Sequence, residues 1–322
     1  MLAAVLEGLD QLAVKEVPTP QADDYTLLIR VRACAVCGSD VRILHHGSPR
    51  VKPPVIPGHE IAGEVVEVGR NVQGFRPGDR VAMAGDIPCG VCSFCRDGHG
   101  NNCQTNLALG YQFPGGFAEY LVAPSLLLRY GPIHRIPEGL SYAEAALAEP
   151  LACAINGVEL SQIRLGEAVA VIGAGPIGCM IIALARLVGA APILAVQRSR
   201  ARLQAALDGA DVAICSAEED AVARVLAETE GEGADVVMVA AGSPEAQRDA
   251  LRMVRSRGRV NLFGGLPSGA PPLALDANLV HYKECYVHGA HGSVPRQHRL
   301  ALALLGRRRI DVGALVTHRL PL

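Results

Sequence analysis

The 322-residue chain has no tryptophan, and aromatic residues make up only 4% of it. Charge is also sparse, at 19% of residues, and 30 basic against 32 acidic side chains leave a formal net charge of −2. That balance supports neither a nucleic-acid-binding face nor an acidic tail. No apolar run reaches the ~20 residues a membrane span requires, because Gly, Pro or Arg interrupts each one. The opening Met1-Leu-Ala-Ala-Val-Leu-Glu-Gly8 lacks the basic region and long apolar core of a secretory signal. A soluble, cytoplasmic protein is expected, with neither nucleic acid nor membrane as a partner.

What the chain has is cysteine, ten in all, and unevenly spread. Cys89, Cys92, Cys95 and Cys103 crowd one Gly-rich loop in the pattern CxxCxxCx7C. In a large cytosolic chain such crowding points to metal rather than disulfides. Four thiolates on short spacings close a tetrahedral zinc site with no open position, so this site is expected to be structural. The scattered cysteines read mostly as core residues.

The length suits about two domains. Residues 1–152 carry short β-branched segments separated by Gly and Pro, the texture of a barrel-like β domain. From about Gly166 the texture changes to apolar strands alternating with Ala/Leu/Arg-rich helical stretches, the pattern of a parallel α/β sheet. Six strands are expected, at 168–172, 192–196, 212–214, 235–240, 259–263 and 286–289, completing a doubly wound domain over residues 153–290.

Gly173-Ala-Gly175-Pro176-Ile177-Gly178 follows the first of these strands and opens an apolar helix expected over 179–188. In that context GxGxxG marks a dinucleotide site: Gly173 makes the turn, Gly175 admits the pyrophosphate and Gly178 packs helix on strand. Where a carboxylate would hold the ribose of NAD stands Gln197, followed by Arg198, Arg200 and Arg202. Loss of the carboxylate and gain of guanidinium groups favour a 2′-phosphate, so NADP is expected over NAD. Gly242, Phe263 and Gly264 end the fourth and fifth strands, where such sheets meet their ligands.

Cys37-Gly-Ser39-Asp, Gly58-His59-Glu60 and Ala148-Glu149-Pro each carry little signal alone. Beside a zinc loop and a nucleotide fingerprint, one Cys, one His and one carboxylate make a three-ligand zinc site with an open position.

Together these motifs resemble the zinc-containing medium-chain dehydrogenase/reductase superfamily, on its polyol (sorbitol) and threonine dehydrogenase branch, from Met1 to the end of the chain. The resemblance implies a GroES-like catalytic domain followed by a Rossmann domain. It implies Cys37, His59 and Glu149 as ligands of a catalytic zinc, with Glu60 either replacing water on the metal or standing behind the ligands. Ser39 matches the hydroxyl that bonds the zinc-bound alcohol. The expected enzyme carries two zinc ions per subunit and passes hydride between a secondary alcohol and NAD(P). A polyol, cyclitol or sugar alcohol is the first substrate choice, because the motifs have few aromatic neighbours, and a threonine-like hydroxy amino acid is the second. The cleft is expected to be walled by Ser39, the His45-His46 loop, Tyr111, Asn156 and His291.

Arg42 stands where relatives often carry a proton-relaying histidine, and arginine cannot relay a proton at neutral pH. Proton exit is expected through Ser39 and water, with His45 and His46 as alternatives. Residues 291–322 begin a return to the catalytic domain, expected to lack the usual closing helix and strands. A homodimer or homotetramer is the family habit.

Overall fold

In a computed structural model, residues 1–206, 209–266 and 269–322 are described. They form two units, residues 1–152 with 292–322, and residues 153–291. The first is built on a five-stranded antiparallel sheet in the order Tyr120–Ala123, Leu27–Ala35, Glu60–Val68, Arg80–Met83, Ile133–Arg135. Leu27, Ile29, Ile61, Val81, Met83 and Leu121 bury one face of these strands in a common core. The alternation of inward apolar and outward polar residues is what a half-buried antiparallel sheet demands. A hairpin of Leu2–Gly8 and Gln11–Glu16 forms a separate two-stranded sheet, bridged at Ala3 to Ala118 just before the edge strand.

Residues 292–322 complete this unit. The helix Pro295–Gly306 buries His298, Ala301, Leu302 and Leu305. Beyond it, Arg308 pairs with Glu144 and donates to the Gly139 carbonyl at 3.1 Å.

The second unit holds six strands, all parallel, in the order Val212–Cys215, Ile193–Gln197, Val169–Ile172, Ala234–Val239, Val254–Leu262, Tyr286–Gly289. Numbered along the chain this is 3-2-1-4-5-6, the doubly wound order with its switch point beside the first strand. Val169 to Ile172 are buried without exception, as a central strand covered on both faces must be.

All six expected strands are present, most boundaries falling within one residue of expectation, yet two starts differ by three residues or more. The fifth begins at Val254 rather than 259, because Arg257 takes a positive φ of 62° and the pairing shifts register there; Arg257-Gly258 looks like a turn in the sequence. The first helix begins at Pro176 rather than 179, with Gly175 as its cap and proline in its first turn, where a missing N–H costs nothing.

Candidate active site and metal centres

Cys37 caps the helix Gly38–His46, and its backbone N–H donates to Asp40 Oδ2 at 2.9 Å. This places Asp40 one turn into the helix, with its other oxygen 3.4 Å from His59 Nδ1. That is a charge contact longer than a good hydrogen bond. On the opposite edge of the imidazole, Nε2 lies 3.5 Å from Ser39 Oγ. His59 follows Gly58, whose φ of +92° and contact with the Phe117 ring and Cys34 Sγ leave no room for a Cβ. Next along the chain, Glu60 is the first residue of its strand.

The ligand atoms of Cys37, His59 and Glu60 lie within 4.8 Å of one another. Glu149, at the start of the helix Ala148–Ser161, stands outside that trio but near enough for its charge to act on both His59 and Glu60. His59 and Glu60 are buried, 7% and 4% exposed. Burial opposes charge on His59, but Asp40, Cys37 and Glu149 together raise its pKa well above the ordinary imidazole value. Burial, followed by the charge of Glu149, pushes Glu60 up to about 8. Without a cation, then, this cluster holds protons it would otherwise shed. A divalent ion takes the place of those protons, and one sulfur, one imidazole nitrogen and carboxylate oxygens are the donor set that suits zinc. The residues therefore fit the metal.

The four-cysteine loop is equally compact, its ligand atoms within 4.8 Å of one another. Cys92 Sγ is 3.4 Å from Cys95 Sγ, and the backbone N–H of Cys89 donates to Cys103 Sγ at 3.2 Å. Burial raises the Cys103 pKa, but the Thr105 hydroxyl and the N–H groups of Cys89, Asn106 and Thr105 outweigh it and bring the thiol down to about 5. Burial and the neighbouring thiols, against a backbone bond from Gly90, push Cys95 up to about 12. Such a spread is what crowded sulfurs produce before a cation stabilises all four as thiolates.

In the second unit Gly173 has φ +104°, and a Cβ on Gly178 would sit 1.8 Å from the Gly173 carbonyl oxygen, so strand and helix meet only through glycine. A Cβ on Gly175 would meet nothing within 4 Å, which leaves its backbone open to a ligand together with the helix start at Pro176 and Ile177. Gln197 ends the second strand and accepts from the Arg198 N–H at 2.8 Å. Arg200 is engaged by Glu218, whereas Arg198 and Arg202 are exposed and form no ion pair among the described residues. Gly242 and Gly264 face close backbone, Gly265 O and the Ala241 peptide respectively, and Phe263 lies against Gly157. Asn156 Nδ2 donates to the His291 carbonyl at 3.2 Å.

His45 Nδ1 lies 2.6 Å from Asp10 Oδ1 at the hairpin turn, in an exposed pair. Arg42 and His46 are exposed as well. Sequence reasoning missed Asp40, although its place three residues after a capping position was a usable signal. It also missed Arg50, whose guanidinium lies 4.8 Å over the Tyr111 ring; that ring meets the His59 ring edge-on at 6.0 Å.

Comparison with known proteins shows the family. Residues 23–132 match the alcohol dehydrogenase GroES-like domain, and residues 176–307 match the zinc-binding dehydrogenase family. L-threonine 3-dehydrogenase from Bacillus licheniformis is 38% identical over 95% of this chain and 88% of its own length. Sorbitol dehydrogenase from Halalkalibacterium halodurans is 34% identical over 98% and 91%. Among solved structures, a zinc-binding dehydrogenase from Sinorhizobium meliloti 1021 bound to NADP superposes with a TM-score of 0.89 at 34% identity, covering 96% of this chain and 89% of that one. Alcohol dehydrogenase TADH from Thermus sp. ATN1 gives 0.88 at 35% identity, over 97% and 90%.

Proposed function

This chain belongs to the zinc-binding, GroES-like alcohol dehydrogenases of the medium-chain superfamily, and we propose that it oxidises a secondary alcohol of a small polar substrate, reversibly, with NADP as the preferred hydride acceptor. The observation that carries this reading is the cluster of Cys37 with the buried His59 and Glu60 beside Glu149, on the same chain as an intact glycine fingerprint.

In this reading Cys37 and His59 hold the catalytic zinc with Glu149 and Glu60 as its carboxylates, and Cys89, Cys92, Cys95 and Cys103 hold the structural one. When bound, the catalytic zinc supplies Lewis acidity, which brings the pKa of a coordinated hydroxyl toward neutrality. Asp40 orients the His59 imidazole through Nδ1, leaving Nε2 for the metal. Ser39, beside that nitrogen, accepts the alcohol proton and passes it to water. The carbon bearing the hydroxyl then releases hydride and becomes a carbonyl. Gly173, Gly175 and Gly178, with the helix start at Pro176 and Ile177, hold the nucleotide pyrophosphate. Arg198 and Arg202 take the 2′-phosphate where a carboxylate at position 197 would repel it. Gly242, Phe263 and Gly264 line the nicotinamide side. The protein acts in the cytoplasm as a homodimer or homotetramer.

Polyols, cyclitols and sugar alcohols come first as substrates. A β-hydroxy amino acid is the second reading, favoured by the resemblance to L-threonine 3-dehydrogenase. Spectrophotometric screening of these classes with each cofactor, on protein of measured zinc content, tests both. The expected result is turnover with kcat/KM higher for NADP than for NAD; equal or better efficiency with NAD would sink the cofactor assignment.

A further inference from the structure

Arg50 is half-buried and pairs with no carboxylate among the described residues. One guanidinium nitrogen, Nη2, donates to the Asn106 carbonyl at 2.6 Å, and its backbone carbonyl accepts from Gln112 Nε2 at 2.8 Å. The first bond holds the guanidinium and the second its backbone, with the guanidinium 4.8 Å over Tyr111, one ring removed from His59. Its Nε is fully buried and has no hydrogen-bond partner. A buried donor left unmade is costly, and in a native structure it calls for an explanation.

The surroundings narrow that explanation. Cys37, Asp40, Glu60 and Glu149 make the metal cluster rich in thiol and carboxyl groups. A cation anchored one ring away serves no ion pair of the protein itself. A half-buried guanidinium held only through Nη2 keeps its Nη1 edge for a carboxylate or phosphate oxygen. We propose that Arg50 is the specificity-determining residue of the alcohol site and that the substrate carries an acidic group, carboxylate or phosphate, on the chain that bears its secondary alcohol. This rests on the reading of Cys37, His59 and Glu60 as the alcohol site. Within the polar substrates proposed above, it singles out polyhydroxy acids, hydroxy amino acids and polyol phosphates over neutral polyols. Tyr111, between the cation and the imidazole, acts as a positioning residue.

The test compares kcat/KM on the zinc-loaded enzyme for a neutral sugar alcohol, the aldonate and the polyol phosphate of the same chain length. Whichever acid is preferred distinguishes carboxylate from phosphate. The wild type should favour one acid over the neutral alcohol by at least about tenfold, and Arg50→Gln should cut that ratio by about 30-fold, chiefly through KM. Arg50→Lys should cut it by only about fivefold, since the charge remains and the fork is lost. Zinc content and cofactor binding report whether each variant is intact; should Arg50→Gln fail there, Arg50→Lys carries the test. A ratio that either intact variant leaves unchanged, or a wild type that prefers the neutral alcohol, would overturn the proposal while leaving the alcohol reading in place. A zinc-loaded, cofactor-binding wild type that oxidises none of the three would overturn both.

Discussion

At the scale of single residues, the site is organised by one side chain that serves two elements. Asp40 caps its helix through one oxygen and faces His59 through the other. Burial alone would leave His59 neutral, and Asp40 leads the groups that oppose it. The departure at Arg42 has a different consequence. His45, the nearest candidate to replace the relay, is tied to Asp10 on the hairpin turn in an exposed pair, which supports the proposed proton route through Ser39 and water. His45→Ala should therefore leave the pH dependence of kcat/KM within about 0.3 units of wild type, since only the essential groups of the free enzyme shape that profile. A large displacement of its acidic limb would return the relay to the loop.

Among the elements, the four-cysteine loop and the returning helix are held by opposite means. The loop from Cys89 to Cys103 has two exposed apolar residues, Val91 and Phe94, and little core of its own. In the proposed reading its order comes from metal, which in such sites contributes on the order of 10 kcal/mol of apparent folding energy. Cys103→Ser should release one zinc and lower the thermal midpoint by about 5 °C or more, with residual activity surviving at low temperature; retention of both ions at the wild-type midpoint would contradict the assignment.

The helix Pro295–Gly306 instead joins its unit through His298, whose Nδ1 lies 2.9 Å from His134 Nδ1 with the rings stacked. Burial, followed by the charge of His134, brings His298 down to about 3; burial and Arg299 bring His134 down to about 4. The folded pair thus binds fewer protons than the unfolded chain, whose histidines titrate near ~6.5. Its stabilising effect is complete above that pH and is lost progressively as pH falls toward 3. For the fully buried His298 alone the loss between pH 7 and 5 is about 2 kcal/mol. His298→Gln should flatten the fall in thermal midpoint over this range, and an unchanged slope would show that other groups govern it.

For the molecule as a whole, much of the architecture was legible in the sequence because its signals are local. The six strands of the parallel sheet are short apolar runs, and the Gly173 turn and the cysteine loop are contiguous motifs. Features that arise only when distant segments meet were not legible. His134 and His298 are 164 residues apart, and nothing near either one announces the other. Arg50 reads as an ordinary loop cation until the fold brings Tyr111 beneath it. Glu60 was readable as a ligand or as a partner behind the ligands, and only the folded cluster sets its oxygen beside Cys37 and His59.

The central claim is that one chain carries a catalytic and a structural zinc, of which only the first is needed for alcohol oxidation. Metal analysis of purified protein during graded chelation, with alcohol-dependent NADPH formation followed in the same samples, tests it directly. The account predicts two zinc ions per subunit and loss of turnover when the more labile one leaves, while the protein stays folded. Full activity in protein holding less than one zinc per subunit would contradict it.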